Sequence, residues 1–599
     1  MILDGLSNPT DIKKLSLAEL NDLCLELREE IIRVTSKNGG HLGSNLGAVE
    51  IIVAAHYVFN IEKDKFVFDV GHQAYAHKFL TGRKELMENL RSKGGASGFP
   101  DPAESKYDHF IAGHASTSLS AALGISKARD LKGENFKIIS ILGDGSLSGG
   151  MIYEAMNNLA GAGNFIVILN DNQMSISESV GSMRRYLSKL LAMRGSLAFR
   201  RRFSSMLSIF SPKTARKIEF FIKSIISAFR GGNIFEEFGF QYLGPIGGHD
   251  IKDLINVFRN VRDVANYKPV IIHVVTQKGK GFPVAEADLT KLHGIDNTEK
   301  NKFSDVFGRK IVQLAEEDEK IVCITAAMKD GTGLSLFAEK FPKRFFDVGI
   351  AEEHAVTFSA GLAIMGLKPF VCIYSTFLQR GFDQIYHDVV LQNLPVRFII
   401  DKAGFPGTDG KTHAGLYDLS MLQNFPNFTI MSPSSKNELE RMLEFALENN
   451  SNPTAIRFPK AEAICNRLNY EPFQKSQIVL RGSQTLIIST GCLLDLILQA
   501  VDISKTTPTV IDARFIAPFD FVTFYEQAEI HEKILIFEEG VFGGISNIIL
   551  DKLLKEKRTE IISKIQFVNA EKTPVKHLPR AVQLEEQSFD LKKLIKLIS

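Results

Sequence analysis

Residues 138–175 read IISILGDGSLSGGMIYEAMNNLAGAGNFIVILNDNQMS. The run IISIL predicts a buried strand, GDGS a Gly-rich turn, the stretch to Asn158 a helix, FIVIL a second buried strand and NDN a polar turn. Asp144 and Asn172 lie 28 residues apart, about the length of a βαβ unit. In a parallel sheet that spacing carries both side chains to the carboxyl ends of neighbouring strands, where α/β folds place ligands.

A carboxylate and an amide oxygen are hard donors suited to Mg²⁺, which takes few protein groups and completes its shell with phosphate and water. Gly143 and Gly145 let the backbone approach a phosphate, and the helix N-terminus that follows favours negative charge. A lone GDG is an ordinary turn as often as a site. Followed at this distance by NDN, it reads as a metal-bridged diphosphate site.

The same grammar runs outward from this stretch. PVIIHVVTQKGKG, KPFVCIYST and PVRFIIDKAG are further apolar strands with Gly-rich or polar turns, alternating with helical patterns. Such runs mark parallel sheets covered on both faces, so the expected class is α/β. The last 120 or so residues repeat the pattern with TLIIST, PTVIDARFI, KILIFEEG and KIQFVNA as candidate strands. Loop-like IDNTEKNKFSD and YEPFQKSQ suggest domains at residues 1–300, 301–475 and 476–599.

With 599 residues, 44% hydrophobic and 23% charged, the chain exceeds a single core, and its composition disfavours disorder and fibrous classes. A net charge of +2 gives no global field for nucleic acid or membrane. One region is uneven: residues 184–230 hold twelve Lys or Arg against one acid, Glu219. That basic, amphipathic stretch suits a membrane-surface or nucleic-acid helix, and suits better either a mobile insertion of about residues 183–235 or a face covering the neighbouring domain. Five cysteines without a Cys-x-x-Cys pair disfavour a zinc cluster or disulfide framework. The N-terminus lacks a signal-peptide core and no apolar run reaches spanning length, so the expected location is the cytoplasm, without integral membrane association.

His41, His72, His114 and His413 sit in Gly-rich or polar turns rather than on apolar faces. Single histidines are usually structural; several at predicted strand ends suggest a polar pocket titrating near neutrality. Glu352, in IAEEHAV, falls between the strand RFFDVGI and an apolar helix, where burial raises a carboxyl pKa. A helix N-terminal carboxylate stabilised by the dipole fits the same residues.

GDGS followed by LNDN resembles the thiamine diphosphate motif. HLGSNLGAVE, FDVGHQAYAHKFLTGR, GGASGFP, GHASTSLSAALG, NDNQMSISESVG, DVGIAEEHAVTFSAGLA, YSTFLQRGFDQIYHDV and DGKTHAGLYDLS follow in the order of the 1-deoxy-D-xylulose 5-phosphate synthases, transketolase-like enzymes. The resemblance covers most of residues 1–545. It implies a three-domain homodimer with thiamine diphosphate and Mg²⁺ as cofactors, and pyruvate and D-glyceraldehyde 3-phosphate as substrates. It gives the metal to Asp144, Asn172 and the backbone carbonyl of Met174. Cofactor contacts fall to His72, Gly113, His114, Ala115, Gly145, Ser146, Phe282 and Phe377, and the aminopyrimidine to Glu352. On the substrate side it gives His41, His293 and His413 to proton transfer, Tyr374, Arg380 and Asp409 to the pocket, and Lys402 with Arg457 to the phosphate. A transketolase proper, another keto-acid-decarboxylating enzyme of this cofactor, and a non-catalytic paralogue are the alternatives.

The chain also departs from the pattern. Lys402 stands where arginine is typical, a point charge in place of a bidentate fork. Phe282 replaces a common tyrosine, RFPKA replaces RYPRG, and the region after Gly544 follows the family only loosely.

Overall fold

The computed structural model describes residues 1–172, 181–192, 233–287, 302–463, 473–587 and 589–599. They form two compact units, Met1–Leu90 with Gly94–Asp296, and Arg91–Lys93 with Asn297–Ser599.

The first unit is built on a five-stranded, fully parallel sheet of β1 (Lys65–Phe68), β2 (Ile138–Gly143), β3 (Phe165–Asp171), β4 (Gln241–Gly247) and β5 (Val270–Val275), ordered β1-β2-β3-β5-β4. Alternation along each strand sends side chains to opposite faces. Ile139, Ile141, Ile166, Ile168 and Ile272 join one core, with helices Leu17–Asn38, Gly43–Val58 and Ile251–Val264. Ile138, Leu142, Val167, Leu169 and Ile271 join the other, with helices Ser118–Leu131 and Gly150–Asn158. Helix Ile251–Val264 shows how its sequence chooses a face: Asp250 caps it, and Ile251, Leu254, Ile255, Phe258 and Val261 form one buried stripe. Helix Gly43–Val58 is mostly apolar and buried almost throughout, and its buried Glu50 is paired with Arg28.

The second unit holds two sheets. The larger orders β15 (Phe515–Ala517), β10 (Thr429–Met431), β11 (Thr454–Arg457), β9 (Arg397–Asp401), β8 (Lys368–Tyr374), β6 (Ile321–Thr325) and β7 (Phe345–Asp347); only the β10–β15 pair is antiparallel. The smaller orders β12 (Gln477–Leu480), β14 (Thr509–Asp512), β13 (Thr485–Ser489), β16 (Lys533–Val541) and β17 (Ile565–Ala570), with β12–β14 antiparallel. One core joins them: Ile324, Ile373 and Ile400 of the larger sheet cluster with Ile488, Ile511 and Ile536 of the smaller.

The expected α/β class and mainly parallel, helix-flanked sheets are present. The single strand read into PTVIDARFI is corrected. Arg514 adopts a left-handed conformation (φ 58°) and divides it into β14 and β15, and β15 crosses to the larger sheet against β10. The buried Arg514 guanidinium donates to Glu438, which fixes the break from the core side.

Candidate active site

In the first unit the pairing of β2 with β3, with Gly143 opposite Asn170, brings Asp144 and Asn172 to the same end of adjacent strands. Three side chains in the NDN turn have three different environments. Asn170 is fully buried; it accepts a hydrogen bond from Thr276 (2.6 Å) and donates one to Gln73 (2.9 Å). Asp171 accepts from His273 Nε2 (2.8 Å), whose Nδ1 in turn accepts from the Tyr242 hydroxyl (2.8 Å). Asn172 alone of the three is partly exposed. Asp144 follows β2 at 8% exposure, and an ideal Cβ on the preceding Gly143 would come within 3.1 Å of Gln73 Nε2, so the turn lies close to its neighbours.

Asp69, just after β1, ties this turn to the next loop. Its carboxylate accepts from the Ser116 and Ser118 amides (2.8 and 3.0 Å) and from the Ser146 hydroxyl, while Ser116 Oγ donates to the Ser146 carbonyl (2.9 Å). Gly113, His114, Ala115, Gly145 and Ser146 therefore stand on two loops held by one carboxylate. Asn45 does the same for the histidines: it donates to the His41 and His72 carbonyls (2.6 and 2.7 Å) and accepts from the Tyr75 amide (2.8 Å). The His41 ring stands edge-on to His72 (5.8 Å) and to Phe99 (5.4 Å). Burial, aided by the Lys278 charge, lowers His72 to about 4, so it is neutral at pH 7. Burial also lowers Lys278 to about 8 against the pull of Asp144. Phe282 is half-buried against the core beside the Gly279–Phe282 turn.

Asp69, Asn45 and Lys278 were absent from the candidates read in the sequence. The signal for Lys278 was its place in TQKGKG, immediately past a buried strand.

In the second unit Glu352 opens helix Glu352–Ile364 after β7 and is 1% exposed. Burial raises its carboxyl to about 7, although Arg380 Nη1 stands 3.5 Å away and pulls the other way. Tyr374 ends β8 and stacks on Phe377 (6.0 Å, 28°), and Phe377 meets the His413 ring edge-on (5.3 Å, 80°). Lys402 Nζ lies 3.9 Å from the Tyr374 ring centroid. Asp409 pairs with Arg91 at 3.0 Å; burial would raise its carboxyl, but Arg91, His413 and Lys402 hold it well below the usual range. Thus Tyr374, Phe377, Lys402, Asp409 and His413 share one polar, aromatic region.

Arg457 stands differently. It is 4% exposed, its Nε and Nη2 bond Asp418 (2.8 and 3.3 Å), and Nη2 also donates to the Glu539 carbonyl (3.1 Å). Those nitrogens serve an internal ion pair, so Lys402 is the more accessible of the two cations. Met174 and His293 lie outside the described residues.

The donor set at the Asp144 end is oxygen-rich and lacks thiolates. Among the described residues no group of three His, Cys, Asp or Glu gathers as for a zinc-type site. A carboxylate and an amide oxygen fit a hard, water-rich cation, and partly buried Lys278 and the helix start at Gly150 fit an anion beside it.

Residues 3–276 match the family described as 1-deoxy-D-xylulose-5-phosphate synthase, residues 299–464 the transketolase pyrimidine-binding domain, and residues 474–594 the transketolase C-terminal domain. The 1-deoxy-D-xylulose-5-phosphate synthase of Carboxydothermus hydrogenoformans is 47% identical over 567 residues, covering 91% of this chain and 90% of that one. The protein of the same name from Dictyoglomus thermophilum is 46% identical over 591 residues, covering 95% of each. With identity of this order over more than nine-tenths of its length, the chain belongs to the 1-deoxy-D-xylulose-5-phosphate synthase family.

Proposed function

We propose that this protein is a transferase of the transketolase class that decarboxylates pyruvate and joins the remaining two-carbon unit to D-glyceraldehyde 3-phosphate, releasing 1-deoxy-D-xylulose 5-phosphate and carbon dioxide. That product is the entry to isoprenoid precursor synthesis and a source for thiamine and pyridoxal. Thiamine diphosphate, the cofactor this family implies, supplies the electron sink for the carbon left by decarboxylation. The observation that carries the reading is Glu352: a carboxyl raised to about 7 in the region matching a pyrimidine-binding domain. A carboxyl raised in this way keeps a proton available to share with the aminopyrimidine ring nitrogen.

In this reading Asp144, Asn172 and the Met174 carbonyl would hold Mg²⁺, and Gly145, Ser146 and His114 would line the diphosphate, with Lys278 added for its charge. Gly113, Ala115, His72 and Phe282 would border the rest of the cofactor, and Phe377 would pack on the aminopyrimidine ring. Neutral His72 offers one donor and one acceptor rather than a charge. His41, His293 and His413 would move protons at the pyruvate and sugar oxygens. Tyr374, Arg380 and Asp409 would orient substrate, and Lys402 would face the aldehyde phosphate, with Arg457 kept in its ion pair to Asp418.

Segments 1–300, 301–475 and 476–599 serve as diphosphate, pyrimidine and C-terminal domains, a division supported by the three sheets. Exposed Phe382, Tyr386 and Leu391 along Phe382–Leu391 supply an apolar face for a homodimer. No helix among the described residues is long and apolar enough to cross a membrane; a cytoplasmic location is part of the same proposal.

The test is incubation with pyruvate, D-glyceraldehyde 3-phosphate, thiamine diphosphate and Mg²⁺ while following carbon dioxide and the ketose. Ketose-to-aldose transfer without carbon dioxide would identify a transketolase instead, and cofactor binding without turnover a non-catalytic paralogue.

A further inference from the structure

Asp409 and His413 sit on a loop whose ends meet at Gly404 and Gly415, joined by two backbone hydrogen bonds (2.6 and 2.9 Å). Closing its base does not settle its interior, because the loop turns through left-handed glycines at Gly407 (φ 71°) and Gly410 (φ 68°), residues with the widest backbone freedom. Its conformation is set from another part of the chain.

Gln583, on helix Arg580–Glu586 near the C-terminus, is 2% exposed. Its Oε1 accepts from the Gly407 amide (2.8 Å) and its Nε2 donates to the Gly407 carbonyl (2.7 Å), so one side-chain amide holds both polar groups of a single loop residue. A third bond, from Nε2 to the Lys576 carbonyl (2.7 Å), fixes which end of the amide is which. Next to Lys576, His577 Nδ1 donates to the Thr408 carbonyl (3.0 Å), which makes Nδ1 the protonated ring nitrogen. The same ring lies against Gly410, where an added Cβ would come within 2.4 Å of Nδ1. Arg580 pairs with Glu539, whose Oε1 accepts from the Phe405 amide (2.9 Å) at the start of the loop. Three loop positions, Phe405, Gly407 and Thr408, are thereby held through Arg580 by way of Glu539, Gln583 and His577.

We propose that Gln583 and His577 are positioning residues: a C-terminal clamp that selects the conformation of residues 405–414 and so presents Asp409 and His413 to substrate. The inference rests on the reading that this loop faces substrate. Neither residue touches the reacting atoms, and their effect passes through the loop. Loosening the clamp therefore affects substrate constants and leaves cofactor affinity in place.

The experiment uses full-length holoenzyme carrying Gln583→Met, which keeps the side chain's length and removes all three hydrogen bonds, with His577→Ala as a second variant should the first fail to fold. Hydrogen exchange of the 404–415 amides, kcat and KM for each substrate, and thiamine diphosphate affinity are measured together. Losing two neutral hydrogen bonds to the loop corresponds to about tenfold or more faster exchange at Gly407–Gly410. kcat/KM for the aldehyde should fall by about tenfold while cofactor affinity stays within about twofold. Unchanged loop exchange in both variants overturns the clamp, as does a loss shared equally with cofactor affinity. Asp409→Ala, run alongside, separates the two ideas. If that substitution leaves substrate constants unaltered, the reading of the loop as substrate-facing falls, and the exchange data still judge the clamp.

Discussion

Arg380 and Glu352 stand 3.5 Å apart, and the carboxyl nevertheless keeps its proton to about pH 7 because burial outweighs the guanidinium's attraction. The shift has a stability consequence. Between the ordinary glutamate range and about pH 7 the folded chain holds a proton that the unfolded chain releases, so Glu352 makes stability fall as pH rises through that window and level off above it. The full effect is at most about 3 kcal/mol. Glu352→Gln should abolish turnover with modest loss of cofactor affinity, and should be more stable than the parent at pH 8 but little different at pH 4. Denaturant unfolding at the two pH values measures this. Parallel parent and variant profiles would mean that Glu352 titrates normally in the fold.

Asn170 and Asn172 should separate cleanly. Asn170→Ala leaves Gln73 and Thr276 without partners in a buried place, costing about 2–3 kcal/mol. Asn172→Ala should change stability by less than about 1 kcal/mol and weaken Mg²⁺-dependent cofactor binding by tenfold or more. Unfolding curves and Mg²⁺ titration of each variant decide it; a larger Mg²⁺ defect in Asn170→Ala would reverse the ligand assignment.

The βαβ unit was legible because its strands are buried on both faces and so write themselves as unbroken apolar runs, and because Gly and Asn mark the turns. Glu352 was legible as a buried carboxyl from the apolar segments around it. Asp69 and Asn45 were not, because their work is to accept from or donate to backbone groups of loops 27 to 47 residues away, or one helix turn back. A single polar residue carries no sign of such partners. β15 was hidden because Arg514 breaks the strand without a glycine or proline to announce it. β4 was hidden for the opposite reason, since Gly244 and Pro245 inside it read as a turn.

Lys402 is aimed by its surroundings. Its backbone is left-handed (φ 53°), its amide donates to Asp401 (2.6 Å), and its ammonium lies over the Tyr374 ring. A cation held on an aromatic face is worth about 0.5–2 kcal/mol, too little to prevent its recruitment by a phosphate dianion. Lys402→Ala should raise KM for the phosphorylated aldehyde by about tenfold and leave KM for pyruvate within about twofold. Equal increases for both substrates would show that Lys402 supports Tyr374 rather than the phosphate.

Asp69→Asn is the most demanding test of the loop scaffold, because it is isosteric and changes only the charge and the hydrogen-bond polarity of one end of the side chain. Oδ1 serves the Ser116 amide and the Ser146 hydroxyl while Oδ2 serves the Ser118 amide, so either orientation of an asparagine turns an NH₂ group toward a backbone N–H donor. Two donors then face each other in a buried site, and charge-assisted bonds are lost as well. The expected destabilisation is about 2–4 kcal/mol. Since the same carboxylate ties the Gly113–Ala115 loop to the Gly145–Ser146 turn, affinity for the diphosphate cofactor should drop by tenfold or more in molecules that remain folded. Calorimetric unfolding with and without thiamine diphosphate and Mg²⁺ separates the two effects: parent and variant should differ more in the presence of cofactor than in its absence. An identical difference under both conditions would confine Asp69 to the fold and remove it from the arrangement of the site.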